Sequence, residues 1–203
     1  MKRFVAASIL ASALLAPLAR AQVPLRFDLG AGIAFPSSPG IANQYWDAGY
    51  TFSAGTRWRL NSRWSFGVDV GLARFNWHEP DGVQPAVPPP PGGDPRSGGA
   101  LRVVPILFAG EFALSDWTNT RPFVTAHAGY VRIRTSDVAN PSTSIGTTAP
   151  PHPDSDAFGL GFGLGVRTLL TGSADLVVDA GWRMAFAAPS RIAWVPVRIA
   201  VRF

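Results

Sequence analysis

From Leu25 onward the chain alternates. Leu25, Phe27, Leu29, Ala31, Ile33 and Phe35 are apolar, and Arg26, Asp28, Gly30, Gly32 and Ala34 lie between them. A two-residue period sends the two sets to opposite faces of an extended strand. The period recurs along the chain. Tyr50, Phe52, Ala54, Thr56 and Trp58 oppose Thr51, Ser53, Gly55 and Arg57. Trp64, Phe66, Val68, Val70 and Leu72 oppose Ser65, Gly67, Asp69 and Gly71. Leu101 to Leu114 is apolar on both parities; an outward set of Val104, Ile106, Phe108, Phe112 and Leu114 turns Glu111 inward. A fifth strand over 122–134 sends Val124, Ala126, Ala128 and Tyr130 one way and Thr125, His127 and Gly129 the other. The sixth has the sharpest pattern, Phe158, Leu160, Phe162, Leu164 and Val166 against Gly159, Gly161, Gly163, Gly165 and Arg167. Leu176, Val178, Ala180, Trp182 and Met184 oppose Val177, Asp179, Gly181 and Arg183 in the seventh. The eighth reads V-P-V-R-I-A-V-R-F over Val195 to Phe203, with Pro196, Arg198, Ala200 and Arg202 on its polar face.

The links between these strands alternate in length. Short turns stand near Asn61-Ser62-Arg63, over 115–121 and over Thr171–Asp175. Two long loops, about 75–100 and 135–157, are rich in proline, serine and threonine; His78 to Gly99 alone holds seven prolines, which no sheet interior accepts. Alternating short turns and long loops, with strands of ~9–11 residues, predict an all-β fold. It is an eight-stranded antiparallel up-and-down transmembrane β-barrel, with short periplasmic turns and long extracellular loops. A soluble barrel with its apolar face inside is the alternative. Four successive inward glycines on the sixth strand would leave such a core unfilled, so the large side chains are expected to face lipid.

Composition adds a targeting segment. Met1-Lys2-Arg3, an apolar stretch from Phe4 to Leu18 and the small-x-small Ala19-Arg20-Ala21 predict a signal peptide over 1–21 and a mature barrel over 22–203. Beyond it no apolar run approaches the ~20 residues of a membrane helix. The chain has no cysteine, which removes disulfides, thiolate metal sites and a lipidated N-terminus from consideration. Its net charge of +5 also overstates the basicity. Without Lys2, Arg3 and Arg20 there remain 15 arginines against 13 acids, scattered along the strands, so no nucleic-acid partner is expected.

The inward charges must pair, because a lone buried charge is costly. They are Asp28, Arg57, Asp69, Glu111, Arg167, Asp179, Arg183 and Arg198. Symmetry about the turns pairs Arg57 with Asp69 and Arg167 with Asp179; the closing seam pairs Asp28 with Arg198. The expectation is a lumen plugged by ion pairs, with a narrow pore for small solutes as the alternative. Arg74, Arg102, Arg132 and Arg134 share the outward parity just before long loops, where they can hold lipopolysaccharide phosphates. Aromatics suggest two interfacial belts, Trp58, Trp64, Trp117 and Phe203 at the turn end and Tyr50, Trp77, Tyr130 and Trp194 at the other. His78, His127 and His152 form no Ser–His–acid grouping, and His152 with Asp154 is short of a closed metal site. No enzyme and no cofactor is expected.

The signal peptide, the eight alternating segments, R-P-F-V-T-A-H-A-G-Y over Arg121 to Tyr130, F-G-L-G-F-G-L-G-V-R over Phe158 to Arg167 and the terminal Phe203 together resemble the small outer-membrane β-barrels, the OmpA transmembrane domain and OmpX. The resemblance covers the mature chain. It implies delivery by periplasmic chaperones and insertion by the barrel-assembly machinery, with Val197, Ile199, Val201 and Phe203 as the recognised C-terminal signal. It also implies a monomer in the outer membrane of a Gram-negative cell, in contact with lipid and lipopolysaccharide. No peptidoglycan-binding domain is expected after the barrel. The role expected is structural or surface-interacting through the long loops; a lipid A-modifying enzyme and a soluble periplasmic ligand-binding barrel are the remoter readings.

Overall fold

The computed structural model describes residues 25–37, 46–76, 100–115, 119–135, 154–187 and 191–203. Eight strands account for nearly all of them: β1 (Leu25–Pro36), β2 (Gly49–Arg59), β3 (Trp64–Asn76), β4 (Ala100–Ala113), β5 (Thr120–Thr135), β6 (Ser155–Thr171), β7 (Ala174–Phe186) and β8 (Ile192–Arg202). Each pairs antiparallel with the next, and β8 pairs back onto β1 to close the cylinder. The signal segment, most of the long loops, Trp77, Trp117, His78 and His152 lie outside the described residues.

Strand number, order and facing are as expected, but the strands are longer. They run from 11 to 17 residues, with β5 and β6 the longest. The extra residues continue the ladder past the alternating apolar stretch; β6 begins at Ser155, ahead of Phe158. The β2–β3 turn is held by Asn61, whose side-chain oxygen accepts from the backbone N–H of Arg63 (2.9 Å) and Trp64 (2.8 Å), the local bond that suits asparagine to turns. The β6–β7 hairpin turns at Gly172-Ser173, with a bulge between Leu169 and Thr171.

The exterior is apolar. Phe108 is 72% exposed and Leu164 67%, and Leu29, Ile33, Phe52, Phe162 and Ile199 share that surface. Large apolar side chains exposed on every strand are not the small, scattered patches of a soluble monomer. Trp64, stacked on Phe66 and against Phe112 at a ring distance of 4.8 Å, lies at the turn end, as does the Phe27–Phe203 pair. Trp194 departs from the expected belt. It shares parity with Arg198 and Arg202, so it points into the barrel and is only 1% exposed.

The interior has two layers. The loop-end half is a hydrophobic plug, with Phe75, Val103, Leu107, Val131, Ile133, Ile192 and Trp194 packed together. The middle and the turn-end half are ionic. The inward glycines of β6 make room for neighbours. A Cβ at Gly159 would sit 2.4 Å from Val131 Cγ2, and one at Gly165 2.5 Å from the Phe123 ring. Large side chains from β5 thus lean across a smooth β6, as the lumen of a small barrel requires.

Candidate functional site

The ionic layer is built from inward positions on β1 to β8, and its ion pairs form both between neighbouring strands and across the lumen. Arg57 donates two parallel hydrogen bonds to Asp69, at 2.8 and 2.9 Å. The expected pair therefore forms, but diagonally: Gly55 faces Asp69 and Arg57 faces Gly67. The Nε2 atom of His127 lies 3.2 Å from the same carboxylate.

The other two expected pairs are replaced. Arg167 does not meet Asp179. The two-residue hairpin and its bulge shift β6 against β7, so Arg167 faces Val177 and Asp179 faces Gly165. Arg167 instead donates to Glu111 across the lumen at 3.1 Å and approaches Asp175 at 3.7 Å. Asp28 does not meet Arg198 either. At the seam Asp28 faces Arg202, while Arg198 faces Gly32 on β1 and Asp179 on β7. Arg198 accordingly donates twice to Asp179, at 2.9 and 2.8 Å, and once to Ser53 at 2.8 Å.

Arg202 is the hub that parity alone would have marked and that the seam argument passed over. Its Nε and Nη2 donate to Asp28 at 2.7 and 3.0 Å. Its Nη1 and Nη2 donate to Glu111 at 3.0 and 2.8 Å. One guanidinium thus ties β8 to β1 at the seam and to β4 across the lumen, in the bidentate geometry that suits arginine to carboxylates. Arg202 and Glu111 are 2% and 1% exposed. Arg183 is buried on β7 in the same layer, facing Gly161 on β6 and Trp194 on β8. Among the described residues, no three His, Cys, Asp or Glu side chains are grouped to hold a metal ion.

A second cluster lies outside the cylinder at its loop end. Arg74 faces Arg102, and Arg102 faces Arg134, on three consecutive strands. All three point outward; Arg102 and Arg134 are exposed and Arg74 half-buried. Arg132 is engaged differently. It faces Asp156 and approaches it at 3.8 Å, and the Tyr130 hydroxyl donates to that same carboxylate at 2.5 Å. On β8, Val197, Ile199, Val201 and Phe203 are all exposed on the outer surface. Phe203 extends the β1 ladder with two backbone bonds to Phe27, at 2.8 and 3.0 Å.

No family model and no curated protein matches the chain. Solved structures do. The crystal structure of Neisserial surface protein A superposes with a TM-score of 0.56 at 16% identity, covering 88% of this chain and 95% of that one. Ail, the attachment invasion locus protein of Yersinia pestis, solved in complex with the heparin analogue sucrose octasulfate, gives 0.51 at 12% identity, with 88% and 97% covered. At such identities the likeness is one of fold. The chain has the fold of the small eight-stranded outer-membrane β-barrels.

Proposed function

We propose that this chain is an integral outer-membrane protein, a monomer whose plugged barrel is a rigid anchor for surface loops. The observation that carries this reading is the pairing of an apolar exterior with an interior filled at both levels. Below, buried charges are tied by bidentate bonds; above, Trp194, Phe75, Val103 and Ile133 are buried in one apolar cluster. That interior speaks against the pore. The connection lengths support an orientation with the long loops, about 75–100 and 135–157, outside the cell and the short turns in the periplasm. Export by the signal peptide of residues 1–21, and insertion guided by the outward row Val197, Ile199, Val201 and Phe203, complete the proposal. Loops on a rigid scaffold are the usual carriers of binding function. Two measurements test the reading together. Unboiled protein from outer membranes is expected to migrate as a compact, SDS-resistant form that shifts on boiling, and planar bilayers containing it are expected to show no conductance steps. A soluble periplasmic protein without a gel shift would overturn the membrane reading, and steady channel openings would overturn the plug.

The outward arginine row supplies a lipid contact. Like charges placed directly opposite across strands are destabilising. Arg74, Arg102 and Arg134 make two such pairs on a surface just above the apolar band. Phosphates of lipopolysaccharide would reverse the sign of that interaction, and guanidinium matches them bidentately. Replacing Arg74, Arg102, Arg132 and Arg134 with glutamine is expected to reduce co-purifying lipopolysaccharide several-fold without loss of the gel shift. Unchanged retention would remove the arginines from lipid binding.

A further inference from the structure

The outer surface is not evenly filled. On the face centred on β5 it sinks into a groove of about 820 Å³. The register builds it. One row across the strands reads Phe66, Gly110, Ala126, Phe162, and the row toward the loop end reads Val68, Phe108, Ala128, Leu160. Gly110, Ala126 and Ala128 are the floor, and Phe66 and Phe162 stand on either side of it. A Cβ at Gly110 would meet only the Phe66 ring, at 3.6 and 3.8 Å, so the floor is open. Each wall is braced by a second ring. Phe66 is stacked on Trp64 with centroids 6.0 Å apart, and Phe162 meets Trp182 at 5.5 Å.

Against a surface of even height an acyl chain touches protein along one side. In this groove it is touched on three, and the added dispersion contacts hold one chain in place. The floor strands also lead to arginine. The outward column of β4 runs from Gly110 through Phe108, Ile106 and Val104 to Arg102; that of β5 runs from Ala126 through Ala128 and Tyr130 to Arg132 and Arg134. Arg102 stands directly opposite Arg134. Tyr130, the large side chain on the β5 column, is drawn toward the loop end by its hydrogen bond to Asp156. Ala128 and Ala126 lie ~13–20 Å along the strand below Arg132, at a rise of ~3.3 Å per residue. At a tilt of ~40° this is ~10–15 Å of depth, the reach of one leaflet in a hydrocarbon core ~30 Å thick. A chain whose headgroup sits at the arginines therefore ends on the floor of the groove.

We infer that the groove seats one acyl chain of a lipopolysaccharide molecule whose lipid A phosphate is held by Arg102 and Arg134. The inference rests on the lipid contact proposed above for the arginine row, and adds to it a fixed place for the chain. Charge selects this occupant over a second copy of the barrel. A two-fold pairing through this face would bring both arginine rows to the same end of one interface, where like charges oppose association.

The test places the full protein, labelled at its alanine methyl groups, in phosphatidylcholine nanodiscs. Lipid A carrying a nitroxide on one acyl chain is titrated in. The Ala126 and Ala128 methyls are expected to broaden saturably at one lipid A per barrel, well before the outward Ala31 and Ala54 on β1 and β2. Ala126→Phe fills the floor without adding polarity, and is expected to raise the half-saturating lipid A at least fivefold, read at Ala128. Ala54→Phe is expected to leave it unchanged. Equal broadening of all four methyls, as nitroxide-labelled phosphatidylcholine should give, would mean an annulus only and overturns the seat. So does an Ala126→Phe variant that binds like the parent. Loss of binding in Ala126→Phe but not in Arg102→Gln with Arg134→Gln overturns lipopolysaccharide as the occupant, and the arginine reading with it. A dimer in sedimentation that Ala126→Phe dissociates gives the groove to a second copy. The boiling-dependent gel shift, recorded for each variant, certifies folding separately.

Discussion

Replacing Arg202 with methionine is expected to lower the unfolding free energy of the barrel by about 3–5 kcal/mol, the cost of breaking a buried ion pair from one side. The size follows from what is left behind. Asp28 loses both bidentate bonds and keeps only Arg57, at 3.7 Å. Glu111 keeps Arg167 at 3.1 Å and Arg57 at 3.9 Å, but loses the pair that gripped both its oxygens. The layer above is built of packed apolar side chains and offers neither carboxylate a new partner. Urea unfolding from phosphatidylcholine vesicles, read by tryptophan fluorescence, measures the loss. Arg26→Met is the comparison. Its ion pair to Asp175 lies at the partly exposed rim, where such pairs contribute up to about 1 kcal/mol. A triple variant, Arg202→Met with Asp28→Asn and Glu111→Gln, is expected to recover much of the loss, because no uncompensated charge remains. Equal and small effects for Arg202→Met and Arg26→Met would mean that the lumen network does not hold the barrel together.

The same network shows what a sequence can and cannot disclose. Parity along each strand is a local property, so inward Asp28, Asp69, Glu111 and Arg198 and outward Leu164 and Ile199 were legible without a structure. Register is set by turn geometry, which is legible only where the turn is. Taking Thr171–Asp175 as the turn displaces each β6–β7 partner by one residue, and the bulge at Leu169/Thr171 displaces it by one more. Together these move Arg167 from Asp179 to Val177. The Arg57–Asp69 pair survives a comparable error because arginine reaches diagonally to the next inward residue. The seam pairing of Asp28 was wrong because no turn links β8 to β1, so only the closed cylinder fixes it as Arg202. The apolar plug left a faint trace. Leu101 to Leu114 is apolar on both parities because β4 faces a hydrophobic layer on one side and the exterior on the other. Trp194 looked like a belt residue by composition, yet its parity with Arg198 already assigned it to the interior.

The exterior supplies the second large effect. Leu164 lies near the middle of β6, outward and 67% exposed, with Val124 and Ala180 as its cross-strand neighbours. In hydrocarbon, an arginine at the midplane of a barrel's outer face costs about 2–4 kcal/mol, falling to about 0–1 near the interfaces. Leu164→Arg is therefore expected to cost about 2–4 kcal/mol in vesicles, and Leu170→Arg, beside the β6–β7 turn, much less. An outward position bathed in water behaves differently. Surface substitutions away from special features stay within about 0.5 kcal/mol, so both variants would then unfold like the parent. The gradient between Leu164 and Leu170, more than either value, is decisive, because depth dependence belongs to a bilayer and to no soluble barrel. Repeating the pair in vesicles with thinner hydrocarbon should shrink the Leu164 penalty, since the guanidinium then reaches water over a shorter distance. Two flat responses would place this apolar surface against something other than lipid.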